Sequence, residues 1–284
     1  GSVTSVYGAA SGATIGGDVN ISVQNATVSS ITAGGCGISH GARPAVVEGS
    51  TNIVIGSNAV ISNNVYGGGW GDGASWPSVI KGNSNITLVG NATVGGTITG
   101  TGWSSEYDTV EGVKTLNLGT SEQAYNGTSA LKVADFDKIN VSAGSTAQIE
   151  SITQNLRGSI LGTRTSIAKG GKLEVLGDVV NNITDATNEG SFVGGLTGGE
   201  AVVSGTVKTV IDGENTALHF VYGGNGGNQQ TVLGKTVPIG TSKVGAVELT
   251  VNNGKIDMIV ASGAMYSDVD GNVSLNINGG SVTS

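Results

Sequence analysis

Three stretches decide the fold: Val19-Asn20-Ile21-Ser22-Val23-Gln24-Asn25-Ala26-Thr27-Val28, Thr51-Asn52-Ile53-Val54-Ile55-Gly56-Ser57-Asn58-Ala59-Val60-Ile61, and Ser84-Asn85-Ile86-Thr87-Leu88-Val89-Gly90-Asn91-Ala92-Thr93-Val94. Their Asn-Ala pairs fall at 25, 58 and 91, a step of 33, and their Asn-Ile pairs at 20, 52 and 85, steps of 32 and 33. Within each stretch aliphatic and polar residues alternate, which gives a short strand one apolar face. Asn and Gly follow, residues that tolerate positive φ and turn the chain. Val28, Ile61 and Val94 then open a second strand, and a glycine-rich loop closes the unit. Such a unit cannot bury its apolar face alone, whereas stacked copies share one core. The expected fold is all-β, a parallel β-helix (β-solenoid) with Gly-rich loops and a repeat of about 33 residues in the N-terminal third. Ankyrin units have a similar length but are helical, and no i, i+3, i+4 stripe occurs here.

Fainter copies lie at Val207–Gly213 leading to Val221-Tyr222-Gly223-Gly224, at Val247–Gly254, and at Val273–Gly280. The tripeptide Val-Tyr-Gly closes units at 6–8, 65–67 and 221–223. Between 113 and 204 the repeat fades, although Lys138-Ile139-Asn140-Val141 and Lys172-Leu173-Glu174-Val175 still read as strands. The expected organisation is one solenoid over 1–284, with regular repeats in 1–112 and 205–284 and irregular coils in 113–204. Gln148 to Gly162 is the one stretch read as able to hold a short helix.

Composition narrows the class. The 284 residues include 50 Gly but only 3 Pro, without a Gly-X-Y period, so collagen is excluded. A hydrophobic fraction of 37% argues against disorder. The formal charge of −8 and the lack of a basic run argue against nucleic acid as a partner. No apolar stretch is long enough to insert in a membrane. The single Cys36 cannot form an internal disulfide. Low charge and a Ser/Thr/Asn/Gly-rich surface point to a secreted or cell-surface location. The opening Gly1-Ser2-Val3-Thr4-Ser5 recurs as Gly280-Ser281-Val282-Thr283-Ser284, so the chain reads as a fragment of a longer protein, one built of tandem copies of this block.

The Asn-Ile-x-Val, Asn-Ala-x-Val and Val-Tyr-Gly-Gly-Gly segments resemble those of bacterial surface adhesins with right-handed parallel β-helices, including autotransporter passenger domains. Asp137-Lys138-Ile139-Asn140-Val141-Ser142-Ala143-Gly144-Ser145 and Ala168-Lys169-Gly170-Gly171-Lys172-Leu173-Glu174-Val175 carry the same likeness. The resemblance covers most of the chain as a style of repeat. It implies an exported adhesin or structural stalk and names no ligand.

Candidate chemistry is sparse. Trp70, Trp76 and Trp103 lie in the loops after the second and third repeats, with Tyr66 and Tyr107 nearby. Loops of successive coils emerge on one side, so aromatic faces there could stack on sugar rings or anchor a protein. The competing reading is that these rings only cover the core. Asp268-Val269-Asp270-Gly271-Asn272 offers oxygens from Asp268, Asp270 and Asn272 to a cation such as Ca²⁺, although EF-hand spacing is not met and a plain Asp-Gly turn between strands is the stronger reading. No other cofactor is expected. The acidic pairs Glu106/Asp108 and Asp135/Asp137 are the only hint of glycoside chemistry. His40 and His219 are each solitary in sequence, so neither a zinc site nor a catalytic triad can be assembled. The expected function is therefore a non-enzymatic adhesin or stalk that binds a host glycan or protein, or neighbouring copies of the same repeat. A carbohydrate-active β-helix is the alternative. Ice binding comes third, because Thr97-Ile98-Thr99 and Thr163-Arg164-Thr165 do not recur at the period.

Overall fold

Alternation fixes which side chains face inward, and stacking then places them over one another. In the computed structural model, residues 1–36, 43–71, 73–104, 106–160 and 164–283 are described. Among them the chain is all-β, a parallel β-solenoid, and it divides into two compact units, Gly1–Ala147 and Gln148–Ser284.

Each coil of the first unit visits three faces in turn. The first face stacks Val19–Gln24, Thr51–Gly56, Ser84–Leu88, Lys114–Leu118 and Lys138–Val141 in parallel. The second face begins with Ser2–Tyr7 on Thr27–Thr32 and runs to Lys132–Ala134. The third is shorter, built of Thr14–Ile15, Ala45–Val47, Ser78–Ile80 and Asp108–Val110. On the first face Ile21, Ile53, Ile86, Leu116 and Ile139 form one inward column, and all but Ile21 are fully buried. A second column runs through Val23, Ile55, Leu88, Leu118 and Val141. Burying one such side chain contributes roughly 1.5–3 kcal/mol, so the columns dominate stability. On the outward side Asn85 donates to Asn52 at 2.9 Å and Asn52 donates to Asn20 at 3.0 Å, a short amide ladder that helps hold register.

The chain turns where expected, but one residue earlier in two coils. Positive φ falls at Asn25 and Ser57, directly after their first-face strands, and at Gly90, two residues after Leu88, so Asn58 and Asn91 lie just past the corner. The fading of the repeat after 113 is a shortening of the coil. Successive first-face strands are offset by 32, 33, 30 and then 23 residues while the ladder continues unbroken. The last coil loses its third-face strand, and no sequence period survives such a change.

The second unit uses longer strands. Ile152–Ser159, Val179–Val193, Thr197–Asp212, Ser242–Val251 and Val273–Ile277 stack in parallel. The expected short helix is corrected here: Ile152–Ser159 is a strand whose alternate residues Ile152, Gln154 and Leu156 are buried. Ladder pairing to the next coil outweighs the weak helix propensity of the segment. Register shifts between Asn188 and Ser191 and between Ile167 and Lys172 let single strands bend round corners. Val207 pairs with Val247, forty residues away, whereas Val179 pairs with Val207 after twenty-eight. The extra length contains an antiparallel hairpin, Gln229–Val232 with Lys235–Pro238, turning at Leu233 (φ 49°) and Gly234 (φ 75°). Two consecutive residues at positive φ are what a two-residue hairpin turn requires.

Candidate aromatic binding site

The glycines before and after the tryptophans explain the site. Trp70 N–H donates to Gly35 at 3.0 Å and Trp103 N–H donates to Gly69 at 3.0 Å, which stacks Cys36, Trp70 and Trp103 at one corner of successive coils. A Cβ on Gly69 would lie 2.2 Å from the Gly35 carbonyl oxygen, and one on Gly102 would lie 2.2 Å from that of Gly69. Backbone of successive coils is therefore closely packed at Gly69 and Gly102, the residues directly before the two tryptophans. Trp70 and Trp103 are exposed, with ring centroids 5.4 Å apart and planes tilted by 51°. That spacing lies in the range of favourable aromatic pairs.

Beside Trp70 lies a cavity of about 380 Å³ lined by Tyr7, Ala9, Ala10, Ser11, Cys36 and Trp70. Tyr7 is exposed and supplies a second aromatic wall. Sequence reasoning missed Tyr7 and Cys36. The signal for Tyr7 was present: Val6-Tyr7-Gly8 repeats the Val65-Tyr66-Gly67 that precedes Trp70, so the two tyrosines occupy comparable corners.

Asp108 holds the loops that carry the rings. It is buried beneath them and accepts N–H bonds from Gly71 at 2.6 Å and Ser104 at 2.7 Å, the residues directly after Trp70 and Trp103. Burial pushes its carboxyl up to about 6, while the two backbone donors pull the other way. The folded chain thus keeps this proton more tightly than the unfolded chain, whose carboxyl titrates near 3.8. The stabilisation from the neutral form is complete below pH 3.8 and is lost as pH rises through about 6, amounting to at most about 3 kcal/mol. Carbon-13 titration should therefore give a midpoint near 6 for Asp108. The difference in urea stability between wild type and Asp108→Asn should change between pH 4 and 7. A flat difference would remove Asp108 as the titrating group.

The other sequence-predicted residues are placed as follows. Trp76 is half-buried in a turn, its N–H donating to Gly73 at 3.0 Å, and it does not line the cavity. Tyr66 is half-buried, and its hydroxyl accepts from Asn64 at 2.8 Å. Tyr107 packs its backbone against Gly71, and the Glu106 carboxylate hydrogen-bonded to its hydroxyl raises its pKa. Asp268, Asp270 and Asn272 are all exposed, Asp268 on a short strand and the others flanking Gly271. Among the described residues no three His, Cys, Asp or Glu side chains are grouped to hold a metal.

The acidic pairs have structural partners. Both oxygens of Asp108 are engaged by backbone N–H groups. Asp137 pairs with Lys114 Nζ at 2.7 Å, and Asp135 accepts from Thr101 Oγ1 at 3.2 Å. His219, solitary in sequence, meets Asp257 from the next coil, Nδ1 to Oδ2, at 2.5 Å. Those two line a cavity of about 550 Å³ together with Thr187, Asn188, Glu189 and Lys255, with no Trp, Tyr or Phe in its lining. His40 and Thr163 lie outside the described residues. No family model, curated protein or solved structure matches this chain.

Proposed function

We propose that the chain is a secreted or cell-surface solenoid that binds a carbohydrate on the aromatic platform formed by Tyr7, Trp70 and Trp103. The observation that carries this reading is the exposed Trp70–Trp103 pair beside a cavity whose other wall is Tyr7. Exposed, paired indoles on a rigid backbone present apolar faces at little ordering cost, which suits the CH-rich faces of sugar rings. Ser11 adds a hydroxyl to the same cavity. The low charge and the polar, uncharged surface support an extracellular role. The resemblance to β-helical adhesins points the same way.

A glycan array with the wild-type chain tests the reading. Trp70→Ala and Trp103→Ala should each weaken the best hit by about 5- to 30-fold, the loss of one anchoring aromatic. Trp76→Ala, away from the cavity, should leave it unchanged. Equal binding by all variants would refute the platform. Binding to host proteins but to no glycan would leave the platform and change its ligand.

A further inference from the structure

The second unit carries a cavity of its own, on the outward side of three successive coils. Thr187, Ala217 and Lys255 lie over one another there, and so do Asn188, Leu218 and Ile256. The first row is exposed and the second buried, so the strands alternate regularly up to this point. Then the register shifts. Glu189 and Gly190 together face the single residue His219, and the Gly190 N–H donates to Asn188 Oδ1 at 2.8 Å. A bulge of this kind re-aims the side chains beside it. His219 in turn lies opposite Asp257 on the next coil, its Nδ1 2.5 Å from Asp257 Oδ2. Ala217, the smallest side chain of its row, leaves a hollow between Thr187 and Lys255. The result is the cavity of about 550 Å³, with Ala217 and Leu218 as apolar lining and Thr187, Glu189, Lys255 and the His219–Asp257 pair as polar lining.

A carboxylate that accepts from Nδ1–H fixes one tautomer of a neutral imidazole and leaves the lone pair on Nε2. A base oriented by a third group and set in a cavity is the arrangement of general-base catalysis. No Ser or Cys lines the cavity, and among the described residues no hydrogen bond joins the Thr187 hydroxyl to His219, so the nucleophile this site suits is water. Lys255 is the one Lys or Arg in the lining and supplies a positive charge for a developing oxyanion.

We propose that this cavity is a hydrolytic site that cleaves a short-chain acyl ester of a hydroxyl-rich alcohol. His219 Nε2 takes a proton from water as the water oxygen bonds to the ester carbonyl carbon. The Lys255 ammonium offsets the negative charge that develops on the carbonyl oxygen. The bond from that carbon to the alcohol oxygen then breaks, the departing alkoxide takes the proton from Nε2, and a carboxylic acid and an alcohol leave. Asp257 touches no reacting atom; it is a positioning residue that holds the tautomer and offsets the charge of the transient imidazolium. The acyl chain lies on Ala217 and Leu218, and the alcohol meets Thr187 and Glu189. The site shares no residue with the aromatic platform and does not depend on it.

Hydrolysis of p-nitrophenyl acetate and of glucose pentaacetate by the whole chain tests the site. Both should be cleaved at least about tenfold faster than in buffer, and more slowly in D₂O, because a proton moves in the slow step. His219→Ala should reduce both to the buffer rate. Asp257→Asn should lower kcat at least about tenfold with KM little changed, since it alters the base and not the fit of the substrate. Lys255→Met should lower kcat by at least as much. His219 is half-buried and the other two are exposed, so thermal unfolding followed by circular dichroism should stay that of wild type in all three variants. His40→Ala, which removes the other histidine, and Trp70→Ala should leave the rates unchanged, which separates failure here from failure of the platform. A wild-type chain no faster than buffer, an Asp257→Asn chain as fast as wild type, or loss of activity in His40→Ala overturns the proposal.

Discussion

Ile86→Asp should abolish cooperative folding of the first unit. Ile86 is fully buried between Ile53 and Leu116 in the central column, and no basic side chain shares that column. The substitution removes about 2–5 kcal/mol of packing and leaves a carboxyl in apolar surroundings, which must stay protonated or drag water inward. Each coil contacts only its neighbours, so a break at the middle coil separates the stack on both sides. The total is comparable to the whole stability of a small domain, about 5–15 kcal/mol. Far-UV circular dichroism and urea denaturation would read the loss. Ile86→Val, which keeps shape and polarity, should cost only about 0.5–1.5 kcal/mol. A wild-type urea midpoint for Ile86→Asp would show that the column does not hold the unit.

The second large effect is expected at Asn225 in the second unit. Its side chain is fully buried; its oxygen accepts from Leu196 N–H at 2.8 Å, and its amide donates to Lys243 O at 3.0 Å and Ala201 O at 3.3 Å. One amide therefore satisfies backbone groups from three positions at a corner where the ladder bends. Asn225→Ala leaves the buried Leu196 N–H and the buried Ala201 carbonyl without it, and the part-buried Lys243 carbonyl loses a donor. At about 1–3 kcal/mol for each unmet group, partly relieved by entering water, a loss of about 3–5 kcal/mol follows. Asn225→Asp, which keeps the acceptor and turns the donor into a second acceptor, should be no better. Hydrogen exchange should show the Leu196 amide losing protection first. Unchanged protection there would place the stability of this corner elsewhere.

The site was only partly legible in the sequence. The clustering of Trp70 and Trp103 in glycine-rich loops at the repeat period pointed to neighbouring rings, and they do meet. Trp76 and Tyr66 share the same loops but are turned aside, because their direction depends on the local turn and on a bond from Asn64. Tyr7 and Cys36 join from the preceding coils; the Val6-Tyr7-Gly8 tripeptide marks the corner of Tyr7, whereas nothing local to Cys36 marks that meeting. Asp108 looked like half of an acidic pair. Its role as a clamp on Gly71 and Ser104 depends on a contact 37 residues away.

Period-two alternation and a constant 33-residue step were enough to determine parallel stacking and the identity of the inward aliphatics, because both are properties of a short strand and its neighbour one coil away. The boundary of the regular region, the strand at Ile152–Ser159, the hairpin at Gln229–Pro238 and the paired indoles were decided only in three dimensions. Coils of 23 to 40 residues can all keep a ladder in register so long as the difference is absorbed in corners and loops. Corner length leaves no periodic trace in a sequence, whereas the buried column does, since every coil must supply an aliphatic side chain at the same height.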